Sequence, residues 1–205
     1  MHPPEEPHYY ASGYGIDNDP YAQENGVLKN LLGLVDTREL NEIEADLAGV
    51  EIAHLLGEPL PPIFGTAHLQ ALHRGIFHRV YPWAGQFRQV DVGKGDTLFL
   101  AHAEVPAALA ELFEHTQKQF LYGMSANDFS EQAAHLLVPL NHIHPFREGN
   151  GRTQRLFLTQ LAQSLGLSLD WGSVGNEAMR RACIDGIGGE IRAMVRLIQL
   201  NTKSL

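Results

Sequence analysis

The sequence predicts a mainly α-helical domain with one β-hairpin, and three observations lead to that prediction. First, apolar residues recur at steps of three and four over most of the 205 residues, which is typical of amphipathic helices. Second, apolar and polar residues alternate convincingly only on either side of a turn at residues 93–96. Third, 44% hydrophobic and 19% charged residues are ordinary values for one domain that buries a real core.

Charge and hydropathy exclude several classes of protein. A net charge of −9 and a pI of about 5.6 argue against a nucleic-acid-binding or membrane-binding protein. No apolar run approaches the length of a membrane span, and the first residues do not resemble a signal peptide. The single cysteine, Cys183, excludes an internal disulfide framework and fits a reducing compartment. We therefore expect a protein that is cytoplasmic in the cell that makes it, with delivery into another cell as an open alternative.

The N-terminal quarter divides into two segments. Residues 1–26 mix prolines, tyrosines, glycines and acids without a period, which predicts an extended segment that packs only through Tyr14, Pro20 or Tyr21. Residues 27–65 are predicted to form accessory helices, a short one from Val27 and a long one from residue 36 or 37 to residue 57. The apolar positions of the long helix are Leu40, Ile43, Leu47, Val50 and Leu55.

Residues 66–202 are predicted to form the main domain. Its helices are expected over residues 66–80, 104–122, 128–143, 151–165, 176–185 and 190–201, with Cys183 in the helical core. Four histidines near the first helices have spacings that do not stack as metal ligands, so they are predicted to be structural or surface residues: His54, His68, His73 and His78. A zinc site at His142 and His144 is disfavoured because no third His or Cys lies nearby.

Residues 144–155 lie between one apolar helical pattern and the next, and they carry the candidate chemistry. Gly-Asn-Gly at residues 149–151 allows a sharp turn that leads into a helix, and helix N-termini attract phosphates. Arg152 and Arg155 are three residues apart, so on a helix both project to nearly the same face. The pattern therefore predicts a polyphosphate site.

The remaining polar groups of this stretch fit such a ligand. Glu148 offers a hard oxygen, which suits Mg²⁺ held jointly with substrate phosphates. His144 is a side chain whose ordinary pKa allows general-base catalysis near neutral pH. Phe146 lies between polar neighbours and is expected to point into the core as a structural anchor.

Residues 144–155 resemble the signature loop of the Fic family, His-x-Phe-x-Asp/Glu-Gly-Asn-Gly-Arg-x-x-Arg, and every fixed position is filled. The resemblance implies a Fic-type helical domain that transfers AMP from ATP to a hydroxyl side chain of another protein. By that resemblance His144 deprotonates the target hydroxyl, and Glu148 holds Mg²⁺ against the phosphates. It also assigns nucleotide binding to the end of the loop, namely Gly149, Asn150, Gly151, Arg152 and Arg155.

Residues 88–100 are predicted to form the hairpin, and the preceding Tyr81–Arg88 resembles the lead-in to the Fic flap. In that family the flap aligns the target hydroxyl beside the base. A solvated connector is the alternative interpretation, but the resemblance favours docking of the target by strand addition. The residues expected to dock the target are Val90, Asp91, Val92, Lys94, Thr97 and Leu98.

Regulation is predicted from a pattern that the sequence does not contain. Many Fic proteins carry an inhibitory helix, Ser/Thr-x-x-x-Glu-Gly/Asn, but the best candidate, Ser173–Glu177, is followed by Ala178. A first-turn acid of a helix is the simpler interpretation of Glu177. We therefore expect a toxin whose small antitoxin supplies an inhibitory glutamate in trans.

Three functions are compatible with the sequence, and they are given from the most to the least expected. The first is AMP transfer, with a Ser, Thr or Tyr acceptor on a target such as a bacterial topoisomerase subunit, as toxin-like relatives imply. The second is transfer of another nucleotide or of a phosphate-containing group by the same site; Arg152 disfavours phosphate, because the phosphorylating Doc-type relatives carry Lys there. The third is a non-catalytic nucleotide-binding or interaction module.

Overall fold

The computed structural model describes residues 9–11, 19–95, 97–116 and 119–205. The helices are α1 (Thr37–Leu56), α2 (Thr66–Phe77), α3 (Val105–Thr116), α4 (Ala126–Ile143), α5 (Asn150–Ser164), α6 (Asn176–Ile187) and α7 (Arg192–Asn201). The strands are β1 (Tyr9–Ala11), β2 (Val92–Lys94), β3 (Thr97–Leu98), β4 (Leu167–Leu169) and β5 (Thr202–Ser204). The predicted mainly α-helical class with one hairpin is confirmed. No helix in these ranges is long and apolar enough to cross a membrane.

Helices α4 and α5 form the centre of the core. The predicted apolar stripe of α4 is at most 2% exposed throughout, and it comprises Phe129, Ala133, Leu136, Leu137 and Leu140. The predicted stripe of α5 is also buried, and it comprises Leu156, Leu158, Leu161 and Leu165. The loop between them, residues 144–149, is therefore connected at both ends to a helix with a buried apolar face.

Helix α1 forms as predicted, and of its predicted apolar positions Leu40 is buried and Leu47 and Leu55 pack half-buried against the core. Its buried positions are Leu40, Glu44 and Ala48, spaced four residues apart, whereas Val50 is 61% exposed. The side chain of Asp36 caps the helix by accepting a hydrogen bond from the N–H of Glu39 at 2.9 Å. The buried face of α1 thus contains a carboxylate that the apolar pattern did not indicate.

The predicted short helix at Val27 is wrong. The Asn30 side chain donates to the carbonyls of Leu28 and Leu34 and accepts from the N–H groups of Leu32 and Leu34. These side-chain bonds take the backbone groups that a helix would pair with each other. Within residues 27–65 the chain therefore has one accessory helix, α1, in place of the predicted pair.

The hairpin belongs to a larger sheet than the sequence predicted. Strand β2 pairs antiparallel with β3, as expected, and also with β1, so that β2 lies in the centre. A second small sheet joins β4 to β5, and its pairing was not predicted. Of the residues that the N-terminal segment was expected to use, Tyr21 is buried and Pro20 is exposed, while Tyr14 lies outside the described residues.

Candidate active site

The loop between α4 and α5 is shaped by two residues with positive φ. His144 ends α4 in the left-handed region, with φ 47° and ψ 62°, and it is the one described non-glycine residue with positive φ. Gly149 precedes α5 with φ 80°, and a Cβ there would lie 2.2 Å from Cε2 of Phe77. Only glycine fits that position, because both the backbone angle and the close approach of Phe77 exclude a side chain. A non-glycine residue held at positive φ, as His144 is, often marks a functional site.

His144 is held as a neutral base. Its Nδ1 lies 3.0 Å from the carbonyl oxygen of Asn141, so Nδ1 carries the proton and Nε2 carries the lone pair. The imidazole stacks on the Phe99 ring with 3.7 Å between centroids, and His144 is 2% exposed. Burial lowers the pKa of His144 to about 3, and the charges of Arg88 and Lys94 act in the same direction. The ring is therefore uncharged at neutral pH and can accept a proton.

The interior of the loop is tied together by Asn150 and Phe146. The Asn150 side chain accepts from the N–H of Phe146 at 2.9 Å and donates to its carbonyl at 2.8 Å. Phe146 is 1% exposed and stacks on the His73 ring with 3.8 Å between centroids. The predicted role of Phe146 as a structural anchor thus agrees with its burial.

His73 supports the loop from below, a role that the sequence did not indicate. Its Nδ1 accepts the N–H of Gly85 at 2.8 Å, which leaves Nε2 to donate to the carbonyl of Glu148 at 3.0 Å. Burial lowers the pKa of His73 to about 4, so the ring is neutral and keeps this tautomer. As predicted, this histidine is structural, but the structure that it supports is the candidate site itself.

Arg88 joins the hairpin to the loop. Its buried guanidinium donates to the carbonyls of Val90 at 2.7 Å, Ile143 at 3.2 Å, His144 at 2.8 Å, and Leu100. Burial lowers the pKa of Arg88 to about 10, so the guanidinium stays charged at neutral pH. The bonds to residues 143 and 144 fix the backbone at the point where it enters the left-handed region.

Arg147 and Asp19 form a buried ion pair beneath the loop. Arg147 donates to Oδ2 of Asp19 through Nε at 3.1 Å and Nη2 at 2.7 Å, and both side chains are 6% exposed. Oδ1 of Asp19 accepts the N–H of Tyr21 at 2.9 Å. The N-terminal segment is therefore attached to the loop by a charged contact, and its buried Tyr21 packs edge-on against Trp83.

Glu148 directly precedes Gly149, the N-cap of α5. Its Oε1 accepts the N–H of Gly149 at 2.8 Å, and its side chain is 24% exposed. Burial, followed by the nearby carboxylate of Glu44, raises the pKa of Glu148. Arg152 lies between the two carboxylates and partly offsets their repulsion, and Oε2 of Glu148 is the oxygen that a divalent metal could take. Among the described residues no three His, Cys, Asp or Glu side chains gather around a metal, so substrate oxygens would have to complete the coordination.

The two arginines lie at the N-terminal end of α5, as the sequence predicted. Arg152 lies over the Phe77 ring, with 4.7 Å from Cζ to the centroid, and its side chain is 26% exposed. Nη2 of Arg152 donates to Glu44 and lies 3.9 Å from Oε1 of Glu148. The Arg155 guanidinium folds back towards the helix start, since a Cβ on Gly151 would lie 3.2 Å from its Nη1. Both cations thus flank the first turn of α5.

Glu44 is the functional candidate that sequence reasoning missed. It is 3% exposed and accepts hydrogen bonds from Arg152 and from the hydroxyl of Tyr81. The available signal was its spacing of four residues from both Leu40 and Ala48, which places a carboxylate on an otherwise apolar face.

We call the hairpin, residues 88–100, the flap. Residues 99 and 100 at its end cover the loop. Besides the stacking of Phe99 on His144, the N–H of Leu100 donates to the carbonyl of His142 at 3.1 Å. Thr97 is half-buried and Leu98 is 59% exposed, so both side chains of β3 lie at least partly on the surface. Lys94 is half-buried at the end of β2.

Three residues expected to dock a target are engaged elsewhere. Val90 and Val92 are at most 1% exposed, so their side chains belong to the core. Asp91 accepts from the N–H and from Nδ1 of His102, at 2.7 and 2.9 Å, and so closes the base of the flap. The alternation that identified the strand also placed its valines inward, and this part of the docking prediction is corrected.

The candidate inhibitory segment behaves as the start of a helix. Glu177 is exposed and pairs with Arg180 in the same helix at 2.9 and 3.0 Å. Gly175 is the N-cap of α6, so Glu177 lies in its first turn, as the simpler interpretation held.

Comparison with known proteins adds independent observations. The Fic/DOC family profile matches residues 63–162. Protein adenylyltransferase VbhT of Bartonella schoenbuchensis is 36% identical over 190 residues, which are 92% of this chain and 40% of that protein. The probable protein adenylyltransferase Fic of Salmonella typhimurium is 31% identical over 188 residues, which are 91% of this chain and 93% of that protein.

A solved structure is similar over nearly its whole length. The crystal structure of BepC from Bartonella tribocorum, with bound AMPPNP, superposes with a TM-score of 0.83 at 28% identity. The superposition covers 90% of this chain and 97% of that one. The matched family profile begins at residue 63, so α1 lies outside it.

Proposed function

Since this chain belongs to the Fic/DOC family, we propose that it is a protein adenylyltransferase that transfers AMP from ATP to a Ser, Thr or Tyr hydroxyl. One observation carries the proposal: a neutral imidazole with its lone pair on Nε2 lies in the same short loop as a helix N-terminus flanked by two arginines. The names of the relatives and the AMPPNP bound to BepC support the same reaction class and ATP as the co-substrate.

The proton and the bonds balance as follows. Nε2 of His144 accepts the proton of the acceptor hydroxyl, and that oxygen forms a bond to the α-phosphorus of ATP. The bond from the α-phosphorus to the bridging oxygen breaks, and pyrophosphate leaves. Burial supports this role because it keeps the ring neutral before the transfer. The Asn141 carbonyl stabilises the imidazolium that forms, since it accepts the hydrogen bond from Nδ1.

The start of α5 is the proposed phosphate site. The first N–H groups of a helix lack intrahelical partners and favour a bound anion. Gly149, Asn150 and Gly151 let the backbone approach the phosphates, and Arg152 would stabilise the leaving pyrophosphate. Arg155, on the same turn, would bind the γ-phosphate and so select the productive pose of ATP.

Glu148 is the proposed Mg²⁺ ligand. It offers one carboxylate at the edge of the turn, and the phosphates and water would complete an oxygen shell of the kind that Mg²⁺ prefers. When bound, the metal would neutralise phosphate charge and orient the triphosphate.

The acceptor segment is proposed to add to the outer edge of the flap. Strand β2 is paired on both sides, so within the described sheet the available edge near His144 is that of β3. Backbone bonds along that edge would fix the register of the segment and bring one hydroxyl to His144. Thr97, Leu98 and Lys94 are the flap residues placed to contact it.

The regulatory proposal is a toxin held by a small antitoxin that supplies a glutamate in trans. It is supported by the pairing of Glu177 with Arg180, which leaves the best candidate for inhibition in cis engaged within its own helix. Bacterial topoisomerase subunits are the proposed targets. AMP transfer by the purified chain, abolished by a co-purified small protein, is the expected behaviour.

Label transfer from ATP tests the proposed function. The chain is incubated with bacterial lysate and with ATP labelled at either the α-phosphate or the γ-phosphate, and labelled proteins are mapped by mass spectrometry. We expect α-label on a Ser, Thr or Tyr, and none with the variant His144→Ala, whose fold is checked by circular dichroism. Transfer of γ-label would favour the alternative of a phosphotransferase, and binding of ATP without any transfer would favour a non-catalytic module.

A further inference from the structure

Glu44 is a buried carboxylate contributed by a helix outside the matched family profile. It lies on α1, is 3% exposed, and sits between Leu40 and Ala48 on the buried face. Burying a charged carboxylate away from water is costly unless hydrogen-bond donors or cations compensate for the lost hydration. A carboxylate in this position therefore has to be satisfied by the groups around it.

Both partners of Glu44 connect it to the candidate active site. The Tyr81 hydroxyl donates to Oε2, and Nη2 of Arg152 donates to Oε1. Burial, reinforced by the charge of Glu44, raises the pKa of Tyr81, so its hydroxyl stays protonated and remains a donor. The carboxylate thus has one neutral donor and one cationic donor, and its second oxygen is directed at the phosphate loop.

The contact with Glu44 restricts the guanidinium of Arg152. A guanidinium is planar, so a hydrogen bond at one amino group still allows the Arg152 guanidinium to rotate about that bond. Packing of the guanidinium on the Phe77 ring prevents this rotation. The remaining N–H donors are then aimed by α1 and α2 together. Because Arg152 is already oriented before ATP binds, less conformational entropy is lost when the ATP phosphates bind to it.

We propose that Glu44 is a positioning residue that holds Arg152 in the orientation needed to stabilise the leaving pyrophosphate. The inference rests on the proposed function, because it assigns Glu44 a role in that reaction. It predicts that Glu44 contributes to turnover, whereas a carboxylate that merely competed with phosphates for Arg152 would slow the enzyme. The two roles predict opposite signs for the same substitution.

The variant Glu44→Gln tests the proposal, because glutamine keeps the shape of glutamate and removes its charge. The matched control is Glu42→Gln on the same helix, where the exposed Glu42 pairs only with Arg38 at the surface. Initial rates of α-label transfer to bacterial lysate proteins are measured over a series of ATP concentrations, with circular dichroism as the check of fold. We expect kcat to fall by about 10- to 100-fold for Glu44→Gln, with a smaller change in KM for ATP, and no change for the control.

A double-mutant cycle shows whether Glu44 acts through Arg152. In an Arg152→Ala background, Glu44→Gln is expected to have almost no further effect on kcat, because the group that it positions is gone. If Glu44→Gln lowers kcat by the same factor in the Arg152→Ala background as in the wild type, the proposal is overturned. If Glu44→Gln does not fold, Tyr81→Phe takes its place, and a fall of several-fold in kcat is expected from the loss of one hydrogen bond to Glu44.

Unchanged or higher kcat in a folded Glu44→Gln protein would overturn the inference while leaving the proposed function intact. A lower melting temperature with unchanged kcat would also overturn it, since that result describes a purely structural contact. A wild-type chain that transfers no label would overturn the proposed function and the positioning role together.

Discussion

The signature loop and the flap lie against each other but differ in burial and in the number of contacts that hold them in place. The loop, residues 144–149, is buried and is tied to four other parts of the chain by Asn150, His73, Arg88 and Asp19. The flap has an outer strand of two residues, and Leu98 on it is 59% exposed. Under the proposed function, this difference means that the catalytic groups are held in place before substrate binds, whereas the target is recognised at the more exposed edge of the flap.

The glycines of the two regions give the largest expected contrast. Gly149→Ala should lower the free energy of unfolding by about 4 kcal/mol or more, because its Cβ would overlap Phe77 at 2.2 Å in a left-handed backbone. Gly95→Ala in the flap turn has φ 57° and no atom within 4 Å of the Cβ, so about 1 kcal/mol is expected. Chemical denaturation of both variants measures the contrast. Equal losses would contradict the rigid loop.

The ion pair beneath the loop should give the next largest effect. Asp19→Asn leaves the buried Arg147 charge without its carboxylate and should cost about 3 kcal/mol of unfolding free energy. Glu42→Gln removes an exposed pair with Arg38 and should cost less than about 0.5 kcal/mol. Urea denaturation compares them. A loss below about 1 kcal/mol for Asp19→Asn would mean that Arg147 is rehydrated and that the loop does not need its N-terminal anchor.

Acid should destabilise the loop through its buried imidazole. The pKa of His144 is about 3 in the folded chain and about 6.5 in the unfolded one, so the unfolded state binds the proton first as the pH falls. Stability is therefore present above pH 6.5 and is lost below it, by roughly 2 kcal/mol between pH 6.5 and pH 5 for this ring. The difference in unfolding free energy between wild type and His144→Asn, measured across that range, isolates the effect because other groups cancel. A difference independent of pH would contradict the buried neutral base.

The outer strand of the flap should give the smallest effect on stability. Leu98→Ala removes an exposed side chain, so the free energy of unfolding should change by less than about 0.5 kcal/mol and ATP affinity should not change. If Leu98 contacts the acceptor protein, the KM for that protein should rise several-fold. Denaturation, calorimetry with an ATP analogue and acceptor titration separate these quantities. A weaker affinity for the ATP analogue would contradict the division of roles between loop and flap.

Much of the fold and the identity of the candidate site could be predicted from the sequence. The signature at 144–155 identified the family and the enzyme class, and both are confirmed by the comparisons. The main helices followed from apolar periodicity, and the hairpin from alternation around its turn. Local patterns were sufficient here because each of these features depends on residues close together in the chain.

The features that the sequence did not indicate depend on distant residues. Glu44 meets Arg152 across 108 positions, and Arg147 meets Asp19 across 128, and no local spacing encodes either contact. The helix predicted at Val27 failed because Asn30 pairs the local backbone through its side chain. The docking prediction failed at Val90 and Val92 because the alternation that identified the strand places these valines in the core.

A crystal structure with a non-hydrolysable ATP analogue and magnesium tests the central claim most directly. We expect a triphosphate in the turn before α5, with the α-phosphate beside Nε2 of His144, the metal on Glu148, and little movement of residues 144–149. A turn without nucleotide, or an imidazole that has rotated away from the α-phosphate, would contradict it.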